Sequence, residues 1–88
     1  MELMGRIIKG HKTLYQKSVA DACEPRSDFR DRLENCLLSL CRDADIPVPM
    51  WLTKNSTELS KFGRTSFFAE QFAESVYFDR FEIKILEM

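Results

Sequence analysis

Three cysteines and one histidine are the residues of this 88-residue chain best suited to nucleophilic or metal chemistry. Cys23 and His11 can pair as thiol and imidazole, the base drawing off the proton so that a thiolate attacks. Cys36 and Cys41 lie 13 and 18 residues beyond Cys23 with no CxxC pair among the three, and these spacings match no zinc pattern. Each has a plainer reading. Cys36 and Cys41 fall in a helical apolar stripe, where a free cysteine packs as a small hydrophobe, and His11 follows Gly10 in a solvated turn. Glu74, Asp79 and Glu82 gather acids around a strand, which ordinarily serves solubility rather than general acid-base work. There is no glycine-rich phosphate loop, HExxH or GxSxG, and three glycines cannot build most such motifs. The expectation is a domain without catalytic residues, metal or cofactor.

Two sets of residues are candidates for binding instead. Arg6, Lys9, Lys12 and Lys17 surround Tyr15 near the N-terminus; cations there can follow phosphates while the ring stacks on a base. Lysines on an exposed hairpin also block edge-to-edge pairing of sheets, and that reading is preferred. Six of the seven phenylalanines, with Trp51 and Tyr77, lie in residues 51–81. A small domain needs large side chains to close its core, yet one helix and one small sheet offer few faces to cover them. Trp51, Phe67, Phe68 and Phe72 are therefore the candidate interaction surface, for a protein partner or a second copy.

Local pattern supplies the elements that would position these residues. Residues 2–9 and 12–19 form a hairpin about Gly10, with Ile7, Ile8, Thr13, Tyr15 and Val19 suited to a pleated surface. Residues 20–27, with Asp21, Cys23, Glu24 and Pro25, are a loop. Phe29, Leu33, Cys36, Leu37, Leu40, Cys41 and Ala44 then recur on one face at 3.6 residues per turn, capped by Ser27 or Asp28 and ended by Pro47. The run from Ile46 to Leu52 holds two prolines, so it is expected to lie extended across the core. Asn55 and Glu58 have capping-box spacing ahead of a short helix over residues 56–62 that Gly63 terminates. Residues 64–68 are a brief strand and 69–72 a helical turn. Residues 79–85 alternate strictly, putting Phe81, Ile83 and Ile85 on one face and Arg80, Glu82 and Lys84 on the other.

These elements predict a single α+β domain over residues 1–88. It is a small ββαβ-type sheet of three to four strands, with one long amphipathic helix on one face and short helical turns in the C-terminal half. The crossover rule favours a last strand beside the first and parallel to it, in order 2-1-3. At 44% apolar and 31% charged the chain is globular in composition. The formal charge of −1 offers no long-range attraction for nucleic acid or anionic lipid as a whole, although residues 1–19 carry four bases against one acid. An odd cysteine count, no leader-like start and no long apolar run point to a cytoplasmic, non-membrane protein.

The segments Pro49-Met50-Trp51-Leu52-Thr53-Lys54-Asn55, Phe62-Gly63-Arg64-Thr65-Ser66-Phe67 and Phe78-Asp79-Arg80-Phe81-Glu82-Ile83 resemble a group of short uncharacterised bacterial proteins of the Firmicutes type and of similar length. The resemblance implies a stand-alone cytoplasmic domain and assigns no functional residue. The expected function is non-catalytic protein binding or scaffolding, with a homodimer as one form of it; the alternative is a nucleic-acid-binding accessory protein acting through the basic hairpin.

Overall fold

Gly10 adopts φ 60°, a left-handed conformation that costs glycine nothing, and with His11 it closes a tight hairpin between β1 (Glu2–Lys9) and β2 (Lys12–Ala20). Pairing runs antiparallel from Glu2 with Ala20 to Lys9 with Lys12, and a shift after Ile7 leaves Leu14 as the extra residue of a bulge. Leu3, Gly5 and Ile7 face inward. The computed structural model describes residues 1–21 and 26–87; Cys23, Glu24 and Pro25 of the expected loop lie outside the described residues.

The helix α1 spans Phe29–Ala44. Asp28 caps it by accepting a hydrogen bond from the Asp31 amide at 2.9 Å, and Asp45 at φ 56° turns the chain out, its N–H reaching the Arg42 carbonyl. The helix therefore stops three residues before Pro47. Leu33, Cys36, Leu37, Leu40 and Cys41 are buried against the sheet as the 3.6-residue stripe requires. Phe29, assigned to the same stripe, is 43% exposed.

A second helix, α2 (Thr53–Phe62), is longer than the expected turn and begins three residues earlier. Gly63 ends it at φ 69°, and β3 (Arg64–Phe68) leads into a 3-10 turn at Ala69–Gln71. The last strand is β4 (Arg80–Glu87). The sheet order is β2-β1-β4-β3, so the last strand does lie beside the first. It runs antiparallel to β1, however, and not parallel as the crossover rule led us to expect. The reason is the extra strand: the chain reaches the far edge first as β3, reverses, and returns between β3 and β1, antiparallel to both.

Both helices stand on one side of the sheet over one core. Leu3, Ile7, Phe81 and Ile83 of the strands meet Leu33, Cys36, Leu37, Leu40 and Cys41 of α1 and Leu59 of α2. Ile85 is half-buried at the margin. At Gly5 the layers approach closely: a Cβ there would stand 2.9 Å from the Phe81 ring and 3.1 Å from Leu40 Cδ1. Among the described residues no helix is long and apolar enough to cross a membrane.

Candidate functional site

Three buried polar side chains, Asn55, Thr65 and Gln71, hold the C-terminal half together. Asn55 is the third residue of α2, and its Oδ1 accepts from the Leu52 amide at 3.0 Å and from Gln71 Nε2 at 3.1 Å. Its Nδ2 donates to Thr65 Oγ1 at 2.8 Å and to the Ser66 carbonyl at 3.1 Å. Thr65 passes its own proton to Glu58 Oε1 at 2.6 Å. Gln71 donates to the Met50 carbonyl and accepts from the Phe68 amide. Buried amides are costly when unpaired. Here four segments, residues 50–52, α2, β3 and the 3-10 turn, meet because only together do they satisfy these two amides. Asn55 thus acts from inside the helix, not as the residue before it.

That network fixes the proline-containing segment and with it Trp51. The indole packs on Phe67 with centroids 5.5 Å apart, and its Nε1 donates to Ser56 Oγ at 2.8 Å. The outer side of the ring looks onto an open groove of about 830 Å³ between α1 and α2. Phe29, Leu33, Leu37 and Leu38 of α1 form one wall, and Val48, Pro49 and Trp51 with Leu59 form the other. Phe29, Leu38 and Val48 are exposed by 43 to 51%, and Trp51 by 36%. Arg30 and Glu34 supply charge at the rim, and Ser56 and Ser60 are the remaining polar groups. Ser56 Oγ is already engaged by Trp51, so little is left to orient a small polar ligand.

The four aromatics nominated from sequence do not form one surface. Trp51 borders the groove. Phe67 and Phe72, at 0 and 7% exposure, are core residues and are corrected as such. Phe67 stacks near Phe81 at 6.3 Å and Phe72 meets Phe78 edge-on at 5.3 Å. Phe68 is exposed, but strand alternation sends it to the opposite face of the sheet, beneath Lys54 Nζ at 4.6 Å from the ring centroid.

The basic hairpin is divided in the same way. Lys17 pairs in register with Gly5, so it points to the helix side, where it meets Asp43 Oδ2 at 2.8 Å. That hydrogen bond raises the Lys17 pKa and lowers that of Asp43. Arg6 projects from the other face and faces Glu82 at 3.7 Å. Lys9 and Lys12 are exposed beside the turn. The four cations are therefore not one phosphate track, which corrects the hairpin as a nucleic-acid contact.

Cys36 and Cys41 are buried, and burial pushes the Cys41 thiol up to about 11. His11 is exposed in the turn; Cys23, its proposed partner, is outside the described residues. Asp79 accepts from the Gly10 amide at 2.6 Å, bracing the hairpin turn. Among the described residues no group of three or more His, Cys, Asp or Glu side chains is placed to hold a metal ion. Leu38 and Val48 were missed because Leu38 interrupts the polar side of α1 and Val48 sits between two prolines, and neither position belongs to a periodic pattern. Comparison with protein families, curated proteins and solved structures finds no match to this chain.

Proposed function

We propose that this domain is a non-catalytic protein-binding module of a reducing compartment, and that the groove between α1 and α2 receives an amphipathic helix of its partner. The supporting observation is the convergence of Phe29, Leu38, Val48 and Trp51, all substantially exposed, on one open trough. Leaving such side chains in water forgoes burial worth roughly 1.5–3 kcal/mol apiece, and exposed apolar patches of this kind mark contact surfaces. An apolar floor with a sparse charged rim suits a helix presenting residues at i, i+3 or i+4 and i+7. The buried cysteine Cys41, a thiol in the core, fits a reducing environment.

Selection of displayed amphipathic helical peptides on the intact domain tests the reading. Enriched sequences should carry three apolar residues at helical spacing, and Leu38→Glu should weaken them about tenfold or more with the melting temperature kept. Light scattering at high concentration decides whether the partner is a second copy. A dimer dispersed by Leu38→Glu would place that copy in the groove, and no enrichment together with a monomer indifferent to Leu38→Glu would refute the proposal.

A further inference from the structure

The sheet face turned away from the helices has a charge pattern unlike that of the molecule as a whole. Three cross-strand rows lie on it: Arg64 opposite Lys84, then Ser66 opposite Glu82 and Arg6, then Phe68 opposite Arg80. These rows hold four cations against one acid, in a chain whose net charge is −1. The one acid, Glu82, faces Arg6, and among the described residues Arg64, Arg80 and Lys84 make no ion pair. Like charges set directly opposite on neighbouring strands destabilise a sheet, so the register that places Arg64 opposite Lys84 leaves an exposed cation pair that an anion can bridge.

The exposed rings narrow the choice of anion. Phe62 and Phe68, 67 and 40% exposed, flank Arg64 and Ser66 around a shallow pocket of about 180 Å³ whose lining also includes the carboxylates of Glu58, held by Thr65, and Glu82, faced by Arg6. It has room for one planar base, with the phosphates outside it on Arg64, Lys84 and Arg80. Cations spaced along a pleated face beside partly exposed aromatic rings are the two parts that single-stranded nucleic acid engages, phosphates by charge and bases by stacking, and the flexible Lys54 over Phe68 would give way to a base. An acidic peptide would use the cations and leave the rings idle. We infer that the open face at β3 and β4 binds single-stranded nucleic acid, with Arg64, Arg80 and Lys84 on the phosphates and Phe68 under a base. This site shares no residue with the helix groove and replaces the hairpin as the contact.

The test is fluorescence anisotropy of labelled twelve-nucleotide oligouridylate and oligothymidylate with the intact chain. Three phosphate contacts on a single strand give a log-log salt slope of about −2, so affinity should fall roughly 20-fold between 50 and 200 mM salt. Arg64→Glu with Lys84→Glu should cut affinity by tenfold or more at 50 mM and flatten the slope. Phe68→Leu should weaken binding roughly tenfold without altering the slope. Circular dichroism and melting temperature establish that each variant is folded. No binding at 50 mM, or binding indifferent to the charge reversal in a folded variant, overturns the inference. Displacement by polyglutamate as effective as by oligonucleotide, with Phe68→Leu silent, also overturns it and makes the ligand an acidic protein segment. Loss on Leu38→Glu equal to that on charge reversal would move the binding off this face and overturn it as well.

Discussion

Replacing Gly5 by alanine adds one methyl group at a point where β1, β4 and α1 come close. Gly5 sits inside a strand without positive φ, so its backbone suits any residue. On that ground alone alanine should stabilise the domain by about 0.5–1 kcal/mol, because it restricts the unfolded chain. The packing argues the other way. The new Cβ would stand 2.9 and 3.0 Å from two atoms of the Phe81 ring and 3.1 Å from Leu40, distances at which a neighbour must move. Phe81 and Leu40 are both fully buried. The ring also lies near Phe67, so displacement passes on through a close-packed interior. Overpacking of this kind costs about 1–3 kcal/mol. Taking values near the middle of each range, the clash wins by about 1.25 kcal/mol. For a domain of this size that lowers the melting temperature by roughly 5–10 °C, readable by circular dichroism, with a matching fall in the urea midpoint at unchanged slope. A melting temperature equal to or above that of the parent would refute the claim that the helix layer rests directly on the Gly5 backbone.

Asn55→Ala should cost about 3 kcal/mol, because it strips partners from the Leu52 amide and the Ser66 carbonyl in the interior, each worth about 1–3 kcal/mol; a fall in melting temperature of less than about 4 °C would show the network to be slack. Gly63→Ala should cost about 1–2 kcal/mol through left-handed strain alone, since nothing lies within 4 Å of the added carbon, and Gly63→Asn should recover part of it in the same thermal melts. The Cys41 thiol, raised from 9.0 to about 11 in the folded protein by burial, ionises first in the unfolded chain. Its contribution to stability is therefore whole below pH 9 and is lost as pH rises from 9 toward 11. Urea midpoints at pH 8 and 10.5 should show this decline, it should be smaller in Cys41→Ala, and native Cys41 should resist iodoacetamide at pH 8 while the unfolded chain reacts.

What could be read from the chain and what could not divide along physical lines. Local periodicity reports which side of one element is apolar, and it placed α1 and the alternating residues of β4 with little ambiguity, because each buries one side only. Two of the left-handed positions were equally plain, since Gly10 and Gly63 are the residues for which such turns are free of strain, whereas Asp45, which ends α1 in the same conformation, carried no such signal. The error over Phe67 and Phe72 arose from counting faces. One long helix and a small sheet are too few faces to cover those rings when residues 56–62 and 64–68 count only as a short helix and a brief strand. The full ten-residue α2 and the paired edge strand β3 add that cover, and Leu59, Phe78 and Trp51 close over the rings. The length of α2 was itself hidden, because the spacing of Asn55 and Glu58 imitates a capping box. In the folded chain Asn55 caps backward, to Leu52, from within the helix.

Each candidate surface joins residues of separate elements, so the chain showed single members, Trp51 of the groove and Phe68 with the wet side of β4, but not the surfaces they complete. The groove gathers Leu38 from the polar side of one helix and Val48 from between two prolines, positions that tertiary packing alone brings together. The open face depends on register. A slip of one residue in the pairing of β3 with β4 would turn Arg64 or Lys84 to the other side, and nothing in Arg64-Thr65-Ser66-Phe67-Phe68 declares which residue of β4 each will meet. What sets it is burial of Phe67 against Phe81 and of Thr65 against Ile83. Burying those four requires the residues between them to face outward, so the same contacts that close the core bring Arg64 and Lys84 together in water. Strengthening the core cannot separate that pair, so its repulsion is left to screening by salt and, on the inference above, to a bound phosphate.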